Sequence, residues 1–239
     1  DSNTQAVINW DENVNQVMWG AKTSQMSGGY SYFQFSRPTY GGGTGAIMNN
    51  VTMNNMRFYG SVIASSLVYG NFTNDLFWVG SFGGFYCDNN CYLINFRDSK
   101  FYPNGGTPQF GLGLGASSGL AVLDNVSCTS HKYCIMLNTA SAWWHGNAWL
   151  ENNSITEWGI VALNSHLLID GTSWSAENGL SSTGFKGNLY FGDPNNLYSL
   201  SIKGSNGETD YQPFFTLNGG NVSVENFRMD CFTHLPSVF

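Results

Sequence analysis

The sequence predicts an all-β protein in which the chain coils into a solenoid of stacked strands, and three observations support this. One six-residue phrase, which reads apolar, polar, Asn/Asp/Gly, any residue, polar, apolar, recurs along the chain. No segment shows a sustained amphipathic helical pattern. The composition combines 29 glycines and 15% aromatic residues with only 10% charged residues, whereas helices draw more on Glu, Lys, Arg and Ala.

The phrase predicts a strand, a sharp bend and a second strand that begins at once. Its third position holds Asn, Asp or Gly, the residue types that tolerate a left-handed backbone. The uneven spacing of the copies is typical of a solenoid, because stacked strands keep a spacing of about 4.8 Å while one loop of each turn varies. The copies lie at residues 53–58, 96–101, 123–128, 150–155, 169–174 and 224–229, a weaker one begins at Ile202, and a degenerate one is expected at 67–70.

This phrase resembles the repeat of right-handed parallel β-helices, the fold of pectate lyases, polygalacturonases and phage tailspikes, in which the Asn at a tight corner stacks on the Asn of the next turn. The resemblance covers residues 46–230 and implies a single right-handed parallel β-helix. Polygalacturonase-like Asn-Thr-Asp, Asp-Asp and Arg-Ile-Lys motifs are absent, as is a pectate-lyase-like Asp-His pairing. A pectinolytic role is therefore not expected, and fold alone does not determine function.

The chain divides into three parts. Residues 1–45 lack the phrase and are expected to form an N-terminal cap or neck over the first turn, 46–230 the β-helix, and 231–239 a tail that closes the last turn or docks on a neighbouring subunit. Loops from one corner of a coil cluster on one side, where a binding surface would be built. Larger loops are expected around residues 87–91, 103–108, 130–147 and 175–194.

Charge and hydropathy exclude several classes of function. The net charge is −7 and the nine basic residues are scattered, so the basic stripe that nucleic-acid binding needs is missing. The sequence contains no run of 18 apolar residues, so membrane insertion is not expected, and no basic leader precedes Asp1. Cys128, His131 and Cys134 have the side chains of metal ligands, but no fourth ligand completes a site. Neither a metal nor another cofactor is expected.

Aligning the phrases places six ionisable residues in one outward column. Carboxylates on adjacent strands would lie about 5 to 10 Å apart, the range that glycoside hydrolysis uses for its acid and its nucleophile or base. The candidate catalytic residues are Glu151 and Asp170, with Asp124 or Glu177 as substitutes. The alternative is that these side chains are solvent-exposed charges that contribute little to the stability of the fold. The column consists of Arg97, Asp124, Glu151, Asp170, Lys203 and Glu225.

Tryptophans near the same turns suggest a carbohydrate site, because indole rings combine apolar area with a polar edge. Trp143 and Trp144 are consecutive and cannot both point inward on a strand, whereas Trp174 holds an inward position of the phrase. The alternative is a packed loop or a subunit contact. The candidate carbohydrate-binding residues are Trp143, Trp144, Trp149, Trp158, His145 and Glu177.

Five cysteines include two close pairs. Cys87 and Cys91 are candidates for a local disulfide, which would indicate an oxidising, extracellular setting; the alternative is buried free thiols. The pair of Cys128 with Cys134 is less favoured, because the phrase gives Cys128 an inward position.

Three functions remain open. The resemblance to tailspikes implies a viral or phage spike or tail appendage, a homotrimer on the virion surface that binds host surface polysaccharide. A polysaccharide depolymerase, either a glycoside hydrolase or a lyase, is possible on the same fold. A structural coat, filament or adhesin subunit without a small ligand is the third.

Overall fold

The computed structural model describes a parallel β-solenoid, and the described part contains strands and no helix. All strand pairs in this part are parallel, so the predicted all-β class and the parallel β-helix fold are confirmed. The described residues are 5–9, 32–35, 48–59, 61–65, 67–79, 83–89, 91–103, 109–115, 119–129, 132–151, 158–176, 187–209 and 215–231.

The strands follow one another at short intervals along the chain. They are β1 (Gln5–Asn9), β2 (Tyr32–Phe35), β3 (Met48–Asn54), β4 (Arg57–Tyr59), β5 (Ser61–Ser65), β6 (Leu67–Thr73), β7 (Leu76–Val79), β8 (Gly83–Asn89), β9 (Leu93–Arg97), β10 (Lys100–Pro103), β11 (Phe110–Leu114), β12 (Leu120–Asp124), β13 (Ser127–Thr129), β14 (Tyr133–Asn138), β15 (Ser141–Glu151), β16 (Trp158–Leu163), β17 (His166–Ala176), β18 (Gly187–Asp193), β19 (Ser199–Lys203), β20 (Asn206–Thr209), β21 (Phe215–Gly219), β22 (Asn221–Glu225) and β23 (Arg228–Cys231).

These strands form three faces around one core. Face one stacks β1, β3, β6, β9, β12, β15, β17, β19 and β22; face two stacks β4, β7, β10, β13, β15, β17, β20 and β23. Strands β15 and β17 belong to both faces, because each continues through the bend between them. Face three is an eight-stranded sheet in the order β2-β5-β8-β11-β14-β16-β18-β21.

The bend between faces one and two is made by residues with a left-handed backbone. The predicted corner residues Asn55, Asp98, Asn125, Gly171, Gly204 and Asn226 all have positive φ, which confirms the phrase as a corner signal; Asn152 lies outside the described residues. Two further corners were not predicted, at Asn74 and Gly146. The expectation of a copy at 67–70 is wrong, and Asn74 was missed because the apolar Leu76 breaks the pattern two residues later.

At two pairs of neighbouring corners the side chains are hydrogen-bonded from coil to coil, as the resemblance implied. Asn74 Nδ2 donates to Asn55 Oδ1, and Asn125 Nδ2 donates to Asp98 Oδ1 over 3.0 Å. The backbone continues the ladder, since the amide of Asn74 donates to the carbonyl of Arg97 over 2.8 Å. The corner therefore satisfies backbone groups that the bend would otherwise leave unpaired.

Alternate residues of every face point into a continuous aromatic and aliphatic core. Phe77 stacks on Phe58 and Phe101 with ring centroids 4.9 and 4.7 Å apart. Trp144 is fully buried, whereas its neighbour Trp143 is 38% exposed, which confirms that the two rings face opposite ways. The side chain of Trp174 lies outside the described residues.

Directly after the corner, several buried polar side chains accept hydrogen bonds from the backbone of the preceding coil. Ser99 Oγ accepts from the amide of Asp75 over 3.2 Å, and Ser205 Oγ accepts from the amide of Thr172 over 3.2 Å. Asp75 performs the same task with a carboxylate, whose Oδ1 accepts from the amide of Met56 over 2.7 Å. Its other oxygen, Oδ2, is buried without a partner in the described part.

From β3 onward, the three longest connections between strands lie at one corner. Those between β10 and β11, β15 and β16, and β17 and β18 all lead from face two to face three. The expected loop at 130–147 is wrong, because β14 and most of β15 occupy it. The segment 87–91 lies at a different corner, between faces three and one.

The parts expected to flank the helix are only partly described. β1 and β2, from the predicted cap, pair with β3 and β5 and extend faces one and three by one strand each. The other residues of 1–45 and the tail 232–239 lie outside the described residues. None of the described residues forms a helix long and apolar enough to cross a membrane.

Both close cysteine pairs are disulfides in this structure. Cys87 is bonded to Cys91, and Cys128 is bonded to Cys134. Cys128 points inward, as the phrase predicted, and is 1% exposed. An inward position did not prevent a disulfide, because only three residues separate β13 from β14, and Cys134 on β14 is buried as well.

Candidate functional site

The ionisable column predicted from the phrases lies on the outer side of face one, beside the corner. Register places Asp124 opposite Arg97 on one side and opposite His145 on the other. His145 is in turn opposite Asp170, and Asp170 is opposite Lys203. The coil between Asp124 and Asp170 therefore contributes His145.

Glu151 does not lie in this column, and the prediction that it neighbours Asp170 is wrong. Glu151 pairs in register with Thr129, on face two. The reason is that the corner of this coil is Gly146, and the register shifts between His145 and Asn147. The phrase at 150–155 therefore begins beyond the corner. Trp149 lies on the same segment of face two, opposite Ser127.

Asp124 lies between two nitrogen-bearing side chains. Its Oδ2 is 3.5 Å from Arg97 Nε, and its Oδ1 is 3.5 Å from His145 Nδ1. Arg97 Nε is also 3.6 Å from Asp98 Oδ2, so the Arg97 guanidinium forms ion pairs with two carboxylates. These groups are partly exposed, and each pair contributes little to stability. Their effect is to fix where the Asp124 carboxylate and the His145 ring point.

Trp143 lies in the middle of face one, on the same outer side as these charges. It precedes His145 by two residues on β15 and so belongs to the neighbouring column. It lies in register between Val122 and Leu168. Its ring packs against the His145 ring, with centroids 4.7 Å apart and planes tilted by 41°. On the far side of Trp143, Leu120 is 38% exposed. Trp143 and its apolar neighbours Val122, Leu168 and Leu120 therefore form an apolar strip, with the indole at its centre. The ionisable column borders this strip.

A second histidine borders the strip on the side opposite to His145. His166 pairs in register with Ser141 and is exposed. Its Nδ1 is 3.0 Å from Ser199 Oγ, and its ring lies 5.1 Å from the ring of Tyr198. Sequence reasoning missed His166, although the alternation of buried and exposed residues in β17 would have placed it outward together with Asp170.

The remaining candidates are not brought to this strip. Trp144 is part of the core. Trp158 lies on face three, where its ring is 5.3 Å from that of Tyr190. The side chains of Trp149 and Glu151, and all of Glu177, lie outside the described residues. The structure therefore unites four of the predicted residues: Trp143, His145, Asp124 and Asp170.

The strip combines a surface for stacking with groups for hydrogen bonding. An indole face packs against the apolar face of a pyranose ring. Carboxylates accept hydrogen bonds from hydroxyl groups, and a neutral imidazole donates with one nitrogen and accepts with the other. Among the described residues, no group of three or more His, Cys, Asp or Glu side chains is arranged to hold a metal ion.

Comparisons with known proteins add no relative. A scan against protein-family models and searches of curated proteins and of solved structures found no match to this chain. The parallel β-helix fold is thus supported by the structure, and similarity to tailspikes by the sequence phrase alone.

Proposed function

We propose that this protein is an extracellular attachment module that binds surface polysaccharide through the strip centred on Trp143. The observation that carries the proposal is an exposed indole between apolar neighbours, flanked by Asp124, His145 and Asp170. A tryptophan that served only the fold would point inward, as Trp144 does. On the outer side of a strand, its free face is suited to a ligand.

The setting of the strip fits a saccharide better than an extended apolar partner. Each apolar residue of the strip has a polar or ionisable neighbour on the same face, so a ligand must offer hydroxyl groups as well as a flat apolar surface. Two disulfides are consistent with an oxidising, extracellular compartment. Location on a virion surface and assembly as a homotrimer, which the tailspike resemblance implies, are part of the proposal.

The test is a glycan-array screen on the purified chain, followed by calorimetric titration of any hit. Trp143→Ala should weaken binding at least about fivefold, if stacking on the indole contributes as much as a base stacked on an aromatic side chain, on the order of 1–3 kcal/mol. Trp158→Ala is the matched control, since it removes an indole from face three. Unchanged affinity of Trp143→Ala would refute the proposed site. Absence of any glycan binding by a trimer or polymer would favour a structural subunit.

A depolymerase is the second candidate, because Asp124 and Asp170 stand two strands apart on one face. Two strand spacings amount to about 10 Å, which is near the separation of about 6.5–9.5 Å used by inverting glycosidases and well beyond that of retaining ones. Asp170 would act as one carboxyl partner and Asp124 as the other. Asp170→Asn should then abolish release of reducing ends while leaving binding in place; equal turnover would exclude Asp170 from catalysis.

A further inference from the structure

Face two carries a second cluster of aromatic and charged side chains, on coils nearer the N-terminus than Trp143. Arg57, Leu76 and Lys100 are in register on β4, β7 and β10. Two residues further along the same strands, Trp78 is in register with Tyr102. We refer to Arg57, Leu76, Trp78, Lys100 and Tyr102 as the basic–aromatic cluster.

The alternation of these strands shows that the cluster faces outward. Phe77 and Phe101, which lie between its members, are 0% and 1% exposed and belong to the core. Their neighbours on each strand therefore point to the opposite side. Accordingly, Lys100 is exposed, and Trp78 and Tyr102 are half-buried. Arg57 precedes the buried Phe58 and is exposed as well.

The two cations of the cluster are not neutralised by the part of the chain that the structure describes. Among the described residues, neither Arg57 nor Lys100 takes part in an ion pair. They lie two strand spacings apart, which is about 10 Å, with Leu76 between them. This is an uncompensated positive patch on a chain whose net charge is −7.

We propose that the basic–aromatic cluster is a second saccharide-binding site, selective for sugars that bear a carboxylate or a sulfate group. The rings of Trp78 and Tyr102 supply the stacking surface. Arg57 binds a carboxylate or sulfate through its planar fork of donors, and Lys100 does so as a point charge. The proposal shares only its ligand class with the proposed function, because the residues and the face are different.

The two faces differ in the charge that they present to a ligand. Around Trp143 the carboxylates of Asp124 and Asp170 lie in one column with the cations of Arg97 and Lys203, and the Arg97 guanidinium is shared between two carboxylates. That rim has no excess of positive charge to attract an anionic sugar. The basic–aromatic cluster has two cations and no acidic member, so it is the face suited to an anionic sugar.

A single-stranded nucleic acid also combines negative charge with rings that stack on aromatic side chains. Two cations can neutralise only about two phosphates, whereas nucleic-acid sites bind by neutralising many along a positive groove. The remaining net negative charge of the chain repels a long polyanion. At physiological salt charges more than about 8 Å away are largely screened, so a short saccharide held at the two cations escapes most of this repulsion, whereas a long polyanion extends over the rest of the negative surface.

The experiment measures binding of four probes to the full chain by calorimetry. The probes are a galacturonate tetrasaccharide, a heparin-derived tetrasaccharide, a neutral hit from the glycan screen or otherwise a neutral glucan tetrasaccharide, and a twelve-nucleotide oligothymidylate. The double variant Arg57→Gln/Lys100→Gln and the single variant Trp78→Ala are compared with wild type. Arg228→Gln is the control, because it removes an exposed charge from the same face five strand spacings, about 24 Å, away from Lys100.

The expected result is binding of at least one anionic saccharide that weakens at least tenfold in both cluster variants and is unchanged in Arg228→Gln. The carboxylate and sulfate probes distinguish the two anionic groups. Unchanged affinity in the double variant, equal or tighter binding of the oligonucleotide, or no binding of either anionic saccharide would overturn the proposal. Far-UV circular dichroism and a urea midpoint confirm that each variant is folded.

The two proposals fail in different ways. Loss of neutral-sugar binding in Trp143→Ala with intact anionic-sugar binding supports both sites. Binding of anionic sugars by a chain that binds no neutral sugar supports the basic–aromatic cluster and refutes the strip as a neutral-sugar site. Neutral-sugar binding alone supports the strip and refutes the cluster.

Discussion

Asp75 should make the stability of this protein depend on pH in the direction opposite to that of most carboxylates. Its side chain is 1% exposed, and burial raises its pKa from the ordinary value of 3.8 to about 7, against the lowering effect of hydrogen bonds from the backbone of Met56 and Thr73. The carboxyl group therefore keeps its proton in the folded chain at pH values where the unfolded chain has lost it.

The sign and size of the effect follow from this difference in pKa. Below about pH 3 both states are almost fully protonated, and the stabilising contribution is fully present. Between about pH 4 and 7 the unfolded chain ionises first, so the free energy of unfolding falls as the pH rises, and above about pH 7 it levels off. Because one pKa unit corresponds to about 1.36 kcal/mol, the total loss is on the order of 4 kcal/mol.

The perturbation is Asp75→Ser. It introduces serine at the position after the corner, where Ser99 and Ser205 stand in other coils. A serine Oγ at position 75 can accept the Met56 amide, as Ser205 Oγ accepts the amide of Thr172. The variant should therefore keep the backbone hydrogen bond and lose the titrating group. Relative to wild type, its free energy of unfolding should increase by about 4 kcal/mol between pH 4 and pH 8.

The assay is urea unfolding followed by tryptophan fluorescence at intervals from pH 4 to pH 8, with the disulfides intact. Titrations shared by both proteins cancel in the difference between wild type and variant. Ser205→Ala serves as the control, since it leaves the Thr172 amide without its acceptor and should cost about 1–3 kcal/mol at every pH. A difference between wild type and Asp75→Ser that stays constant across this range would refute the reasoning.

Two further predictions concern the core and the corner. Phe77→Ala should lower the free energy of unfolding by about 3–5 kcal/mol, because the ring is fully buried and stacks on Phe58 and Phe101. Phe77→Leu should lower it by less, since leucine fills part of the space. Equal losses for the two variants in urea unfolding would contradict a packing origin. Asn125→Ala should cost about 1–2 kcal/mol for its φ of 53° besides its hydrogen bond to Asp98, and Asn125→Gly should recover the backbone part. If the glycine variant were no more stable than the alanine variant in the same assay, backbone strain would not be the cause.

The candidate site could be predicted only in part from the sequence. Asp124, His145, Asp170 and Trp143 were all identified as candidates, because their residue types and alternation are visible in the chain. Their grouping was not, since Glu151 was placed where His145 lies. The error came from aligning the phrase at residues 150–155 with the corner, whereas the corner of this coil is Gly146. Trp158 was assigned to the same site because it is close to the other tryptophans in sequence, and it lies on face three.

The sequence by itself determined the features that depend on neighbouring residues. A left-handed corner needs Asn, Asp or Gly at one position, as Asn55 shows. Alternation along a strand decides which side chains point inward, as Trp143 and Trp144 show. Both patterns are local and could therefore be recognised in the sequence. Only the tertiary structure decided which residues become neighbours across coils. That register depends on the length of every intervening loop and on each bulge, and it alone brings His145 between Asp124 and Asp170 and Arg57 opposite Leu76.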